Sequence, residues 1–401
     1  FLRIGICDLL GLIDLATVVR QLSHLADALV EACLELAAAR TGARPEGFAV
    51  LALGKLGGEE LNYSSDIDLL FLTRAGGDSH LRLGEKLIDA LARVTPEGFL
   101  YRVDMRLRPW GSSGALVPTV GAHVTYLERH ARLWERQALL KARVIAGDRA
   151  VGEEFLHQAQ PLLYGAADEA VRVEVREMKR RIEMHLSQHG NAWGEVKLGR
   201  GSIRDVEFVV QYLQLVHGGR RPALRSANTL EALARLWSGG ILSADEYRVL
   251  ADGYTFLRPI EHYLQVMHYQ QTHALPADAR ELAYLARRLG FAGCDAGARL
   301  VARYEENSEA IRSVYQRYLE GGDVTMSSNP AGPAADDGLR RHVERMAPSY
   351  AQAFTASEIS RHAELAERLS ADNLVEVEAS SLGNGSWRVT IVGYDYTGEL
   401  S

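Results

Sequence analysis

Cysteine is scarce in this chain: Cys7, Cys33 and Cys294 lie far apart in 401 residues, with no Cys-x-x-Cys pair and no histidine at metal-ligand spacing. That excludes a disulfide-built scaffold and a zinc ribbon, and it fits buried thiols in a reducing, cytoplasmic compartment. Long hydrophobic runs are missing as well. Nothing approaches the ~18 apolar residues of a membrane-spanning helix, and the first residues lack the pattern of a secretory signal. Nor is there a surplus of positive charge. Lysine and arginine number 45 against 52 acidic residues, a net charge of -7, so no general field draws the chain to nucleic acid or to an anionic membrane. Any anionic ligand must be held by local groups. What remains is ordinary globular usage, 47% hydrophobic and 24% charged, which excludes a disordered or fibrous chain.

At about 150 residues per domain the length accommodates two or three domains. The chain opens at Phe1 rather than Met and stops at Ser401 within a strand-like pattern, as expected of a piece of a longer protein. Apolar residues recur at helical spacing over residues 15–40 (Leu15, Val18, Leu22, Leu25, Leu29, Leu36), with Asp14 placed to cap and Thr41-Gly42 to stop the helix. The period then changes. Residues 48–53, 66–72 and 99–107 read as strands, with a helix over 81–94 between the last two. After Asp148 the pattern is helical, near residues 169–187, 203–215, 229–237, 244–269, 279–289 and 297–319, with short polar joints. A Gly/Pro/Ser/Asp-rich stretch without periodicity, residues 321–338, reads as a linker. Beyond it come one or two short helices, then strands at 374–379 and 387–394 joined by a turn. The expected fold class is α+β: an N-terminal helical segment (1–45), a mixed α/β module (46–150), an all-α helical bundle (151–320), the linker (321–338) and a truncated small α+β domain (339–401).

The chemistry concentrates in LALGKLGGEELNYSSDIDLLFL, residues 51–72. An apolar strand runs into a turn with Gly54, Gly57 and Gly58, then two serines, then Asp-Ile-Asp on a new strand. Residues two apart on a strand share a face, so Asp66 and Asp68 project together, the arrangement a divalent metal needs. Charges inside so apolar a run require compensation. The upstream glycines let backbone approach phosphates, with Lys55 to meet their charge. A third acid, Asp104, lies in YRVDMRLRP among Arg102, Arg106 and Arg108. At strand period these four share one face, one metal ligand among three phosphate-binding cations, or else surface ion pairs.

The Gly-Gly, Ser-Ser-Asp-x-Asp and later Asp pattern resembles the polymerase-β type nucleotidyltransferase fold. Closer still, LGKLGGEELNYSSDIDL, GFLYRVDMRLRPWGSSGALV, WERQALLKARVIAGD, KLGRGSIRDVEFVVQYLQL and FLRPIEHYLQ followed by QQTHALP resemble, in the same order over residues 53–276, the glutamine synthetase adenylyltransferase/adenylyl-removing family. The resemblance implies Asp66, Asp68 and Asp104 as ligands of two Mg²⁺ ions, with Mn²⁺ as an alternative. It places Gly57, Gly58 and Ser65 at the nucleotide phosphates, and offers Lys141, Arg143, Arg200 and Arg204 as further phosphate or substrate contacts. The implied partners are glutamine synthetase as protein substrate, ATP or ADP, phosphate, and the PII signal protein, in the control of nitrogen assimilation.

Members of that family carry two catalytic halves, one attaching AMP to a tyrosine of glutamine synthetase and one removing it by phosphorolysis. RVDMRLRP, KLGRGSIRD and FLRPIEHYLQ resemble the removing half, whereas the transferring half favours VDARLRPSG and KADEGG. Transfer from ATP with release of pyrophosphate is the alternative. A rival of another class is a non-catalytic module sensing nucleotide or PII, against which the three intact aspartates argue.

Other features read as structural. Asp205 and Glu207, two apart on a helix, face different sides and do not share a metal; capping at Ser202 and an ion pair of Arg204 compete with a role in the cleft. His262, His268 and His273 are not spaced for one helical face. Trp110, Trp134 and Trp193 read as packing residues. The tail from Trp387 resembles the start of a small regulatory domain of the ACT type, with a generic hairpin as the alternative.

Overall fold

The computed structural model describes residues 1–96, 98–188, 193–268, 273–321, 377–381 and 387–391, and its residues form two units. The smaller takes in residues 2–14 and the described residues after 376, the larger residue 1 and residues 15–321. In the smaller unit Leu2–Leu9 forms helix α1.

The larger unit starts with α2, Leu15–Thr41, which buries Val18, Leu22, Ala26, Val30, Leu34 and Ala37. The spacing of four, then three, keeps one stripe inward. Gly42, in the left-handed region at φ 66°, ends it. A four-stranded sheet follows, built from β1 (Phe48–Ala52), β2 (Ile67–Thr73), β3 (Val103–Asp104) and β4 (Arg143–Gly147) in the order β3-β2-β1-β4. The single turn α3, Gly54–Gly57, joins β1 to β2. β1 is antiparallel to both neighbours, while β3 runs parallel to β2. A parallel neighbour requires a crossover, and α4 (Asp78–Ala92) lies within it.

Every residue of β1 is buried, the side chains of Phe48, Val50 and Leu51 each contributing about 1.5–3 kcal/mol. Strand alternation divides them. Ala49, Leu51, Leu70 and Leu72 form one cluster with residues of α5 (Val120–Arg129), α6 (Leu133–Leu139) and α7 (Arg149–Leu163). Phe48 and Phe71 meet on the other face with ring centroids 5.4 Å apart, and Gly84 of α4 lies against Phe71. Asp66 and Asp68 share the parity of Leu70 and Leu72, at the end of β2 where the apolar cover gives out.

The rest of the unit is helical: α8 (Asp168–Gln188), α9 (Ile203–His217), α10 (Thr229–Ser238), α11 (Ala244–His268), α12 (Ala279–Arg288) and α13 (Ala296–Tyr315), the last continuing as a π-type turn over Gln316–Glu320. In α9 every residue from Asp205 to Leu215 is buried, as in a helix surrounded by others. Asp148, Asn228 and Asp278 cap α7, α10 and α12 by accepting backbone N–H bonds. In the smaller unit β5 (Val377–Ser381) and β6 (Trp387–Ile391) pair as an antiparallel hairpin.

Three expectations change. The strand expected over 99–107 is only two residues long, because Arg106 N–H turns back to the Asp104 carboxylate (2.8 Å) and, among the described residues, no strand lies beyond this edge. Trp134 and Trp193 are 40% and 55% exposed, Trp110 is 61% exposed yet packs on the Tyr126 and His130 rings at 4.9 and 5.0 Å, and Cys294 is exposed while Cys7 and Cys33 are buried. Among the described residues no helix is long and apolar enough to cross a membrane. Residues 322–338 of the expected linker, the helices after it and the region needed to judge an ACT-type domain lie outside the described residues.

Candidate active site

The three aspartates lie near one another at the ends of β2 and β3. Asp68 is the register partner of Asp104, and Asp66 immediately precedes β2. Gly54 makes room for this. Its backbone is left-handed (φ 55°), and a Cβ there would run into the Asp68 carboxylate, so only glycine lets the β1–α3 turn close over that side chain. Burial, then the charges of Asp104 and Asp66, push the Asp68 carboxyl up to about 6, with Lys197 and Arg106 pulling the other way. Asp104 is held below its ordinary value by hydrogen bonds from Arg106.

The carboxylates are not gathered on one point: among the described residues no group of three His, Cys, Asp or Glu could hold a metal ion as arranged. Arginines stand on two of them. Arg102 Nε lies 2.5 Å from Asp66, and Arg106 Nη2 lies 2.5 Å from Asp104. The Arg106 side chain is 80% exposed and that of Arg102 47%, and pairs so exposed contribute about 0–1 kcal/mol. Three carboxylates, one of them pressed by the other two, are oxygen donors of the kind a divalent cation takes, provided the arginines move aside.

The other residues anticipated around the triad are largely engaged elsewhere. Gly57 and Gly58 donate their N–H groups to Leu53 and Gly54 carbonyls, and a Cβ on either would strike the carbonyl oxygen of Lys141 or Ala227 respectively. Ser65 closes a short turn, its N–H on the Asn62 carbonyl and its Oγ accepting from Asn62 N–H. Arg108 spends its guanidinium on the carbonyls of Met105, Ser112 and Gly114. Arg143 forks onto Asp27 at 2.7 and 3.1 Å and reaches the Leu56 carbonyl. Lys141 is buried against Glu60 (2.7 Å), Thr229 (3.1 Å) and Glu207 (3.5 Å). Arg204 reaches Glu207 at 3.5 Å and lies over the Phe208 ring. Arg200 is exposed at a cavity of about 550 Å³ that Trp193, Tyr304 and Arg312 also line.

A second centre escaped the sequence reading. Glu261 of α11 is wholly buried, and around it stand Lys55 Nζ (2.5 Å), Asn62 Nδ2 (3.1 Å), Arg258 (3.6 Å), His273 (3.6 Å) and Lys197 (3.9 Å). Burial opposes its charge, but Lys55, Arg258 and Lys197 outweigh burial and keep Glu261 ionised. Burial holds Lys55 down at about 7; Glu261 raises it, and Arg258 and Lys197 lower it. Lys197 is thus brought up to both Glu261 and Asp68 by the helical region.

Its segment is fixed from behind. Lys179 Nζ lies 2.5 Å from Asp205 and donates to the carbonyls of Leu198 and Gly199. Gly201 N–H donates to Asp205 (2.7 Å), and Arg204 N–H donates to the Lys197 carbonyl (3.0 Å). Asp205 and Glu207 accordingly belong to different networks. The available signal for Glu261 was its i, i+3 spacing from Arg258 in FLRPIEHYLQ, two charges in an otherwise apolar helical turn.

Residues 1–158 match the family model described as glutamate-ammonia ligase adenylyltransferase, and residues 170–319 match that of the GlnD PII-uridylyltransferase. Similar curated proteins are named bifunctional glutamine synthetase adenylyltransferase/adenylyl-removing enzyme. The one from Streptomyces coelicolor is 39% identical over 333 residues, 79% of this chain and 33% of the relative. That from Pseudomonas aeruginosa is 40% identical over 315 residues (73% and 32%), and that from Stenotrophomonas maltophilia 40% over 311 (71% and 33%). The chain spans about a third of the length of these relatives.

Proposed function

Since over residues 1–158 the chain belongs to the glutamate-ammonia ligase adenylyltransferase family, we propose that it carries a nucleotidyltransferase site of the polymerase-β type that removes AMP from an adenylylated tyrosine of glutamine synthetase by phosphorolysis. The observation that carries this reading is the row of three carboxylates at the ends of β2 and β3, in which Asp68 is raised by burial and by its two neighbours. Such a row repels itself until a cation joins it. Asp66, Asp68 and Asp104 would hold Mg²⁺ or Mn²⁺, which would supply charge neutralisation and alignment to a phosphoryl displacement.

In that displacement an oxygen of hydrogen phosphate bonds to the α-phosphorus of the tyrosine-linked AMP as the bond from phosphorus to the tyrosine oxygen breaks. The proton of hydrogen phosphate ends on the tyrosine, and ADP leaves. No base is asked of the chain, and the work of its residues is to hold and neutralise anions. Arg102 and Arg106, freed from their carboxylates, are exposed cations beside the reacting groups. The removing direction is supported by the RVDMRLRP, KLGRGSIRD and FLRPIEHYLQ wording, and the second family match supports PII as a regulatory partner.

The test is to incubate the chain and a divalent ion with adenylylated glutamine synthetase and identify the nucleotide released. ADP, formed only with phosphate present, is the expected product. AMP in phosphate-free buffer would mean hydrolysis, and label passing from ATP to unmodified glutamine synthetase would mean the transferring direction; either overturns the phosphorolytic reading.

A further inference from the structure

We propose that Lys197, with Lys55 beside it and Arg204 at its flank, forms a subsite for a phosphate-type oxyanion next to Asp68. This deepens the phosphorolytic reading and rests on it for the identity of the anion, inorganic phosphate or the phosphate of the nucleotide. The first observation is a charge count. In the linked network between sheet and helices, the cations Lys55, Lys141, Lys197, Arg204 and Arg258 face the carboxylates Glu60, Glu207 and Glu261. With Lys55 held down at about 7, the other four cations still outnumber the three carboxylates in a setting largely shielded from water. An excess of buried charge is costly unless an anion joins it.

The second observation locates the excess. Lys141 is fully engaged by Glu60, Thr229 and Glu207, and Arg258 donates to the Glu60 carbonyl (2.7 Å) and Asn62 (3.1 Å). Lys55 and Lys197, by contrast, share a single oxygen of Glu261, Lys55 at 2.5 Å and Lys197 only at 3.9 Å. Lys197 Nζ has His273 Nε2 at 3.5 Å, a group that burial keeps neutral near neutral pH, down at about 4. The third observation is a set of buried nitrogens with no hydrogen-bond partner among the described residues: Arg204 Nε, and Arg258 Nη1 and His273 Nδ1, each of which stands 3.6 Å from Glu261 without bonding it. Lys197 keeps 27% of its side chain exposed, so solvent and solutes reach it. An oxyanion with several acceptor oxygens accepts from donors on different elements at once and cancels the excess. Beside it Asp68, Asp66 and Asp104 hold the opposite excess, the place for the cation that accompanies phosphate.

Phosphate binding without glutamine synthetase tests this apart from catalysis. Inorganic phosphate is titrated calorimetrically into the full chain, with AMP in a parallel arm. The unaltered chain should bind, Lys197→Gln should bind roughly tenfold or more weakly, the size of one lost charge-assisted hydrogen bond, and Lys197→Arg should recover most of the loss. A loss confined to the AMP arm assigns the subsite to the nucleotide's own phosphate, and a loss in the inorganic arm assigns it to the attacking one. Should Lys197→Gln not fold, phosphate should still protect Lys197 of the unaltered chain from acylation, read by mass spectrometry. Equal affinity in the Gln variant, no binding by the unaltered chain, or unprotected Lys197 overturns the subsite. Lys197-dependent binding without ADP release from adenylylated glutamine synthetase would leave the subsite standing and sink the phosphorolytic reading instead.

Discussion

Glu261→Gln removes one charge and almost no volume. The amide can still accept from Asn62, so packing survives, but Lys55, Arg258 and Lys197 lose the carboxylate around which they stand. Breaking a buried pair by deleting one partner costs about 3–5 kcal/mol, and in a unit of this size that lowers the melting temperature by roughly 5–8 °C. The pH dependence follows from Lys55. Its folded value, about 7, lies below its ordinary 10.5, so between the two the unfolded chain binds more protons and stability rises with pH. The penalty is fullest below pH 7. In the Gln variant the folded value drops further, so the deficit relative to the unaltered chain is largest near pH 6 and shrinks toward pH 9, where folded Lys55 is neutral in both. Thermal melts by circular dichroism at pH 6, 7.5 and 9, at constant ionic strength, measure this directly. A melting temperature within about 2 °C of the unaltered chain at pH 6, or a deficit that grows with pH, would refute the account of the charged centre.

Asp68→Asn should lower turnover on adenylylated glutamine synthetase roughly a thousandfold or more; a near-normal rate would remove Asp68 from the site. The same variant, melted in EDTA, should be more stable than the unaltered chain at pH 7.5. The Asp68 carboxyl is raised to about 6 from 3.8, so its charge destabilises the fold above pH 6, and the gap should close as the pH falls toward 4. Gly54→Ala puts a methyl into the Asp68 carboxylate at a left-handed residue and should cost about 1–3 kcal/mol together with activity; unchanged melting and turnover would show that the turn relaxes freely. Lys179→Met should speed hydrogen exchange across residues 195–204 by releasing the carbonyls of Leu198 and Gly199, and unaltered exchange would show that Lys179 does not fix the segment.

The helices of the second half were legible because their apolar residues repeat at a helical period: residues 203–215 became Ile203–His217, and 229–237 became Thr229–Ser238. β1 and β2 were legible as apolar runs bounded by glycine and polar turns. The alternation in YRVDMRLRP overstated β3, since local pattern cannot tell that a strand will have a partner on one side only and for two residues. β4 was missed because KARVIAG neither alternates nor carries a turn signal at its start. Within the site, the aspartates announced themselves as charges in an apolar strand. Glu261 and Lys197 did not, since an acid on an amphipathic helix and a lysine in a glycine-rich loop both read as solvent-facing. Glu261 is buried against Lys55 and Asn62, some 200 positions away, and no local period encodes that meeting.

The seating of Lys141 bears on how pieces of such proteins can be exchanged. Lys141 and Glu60 come from one side of residue 150, Glu207 and Thr229 from the other, and Asn228 reaches across to the Gly58 carbonyl at 3.1 Å while Thr229 N–H donates to Glu60 at 2.8 Å. A chimera that took residues 46–150 from a relative and kept the helices would set a foreign acid–base pattern against this one. One mismatched member would strand a charge in the interior, a fault that selection for a stable hybrid would meet first. The transplantable piece is therefore the group of positions 55, 58, 60, 62, 141, 207, 228, 229, 258 and 261, exchanged together, rather than any continuous stretch of sequence.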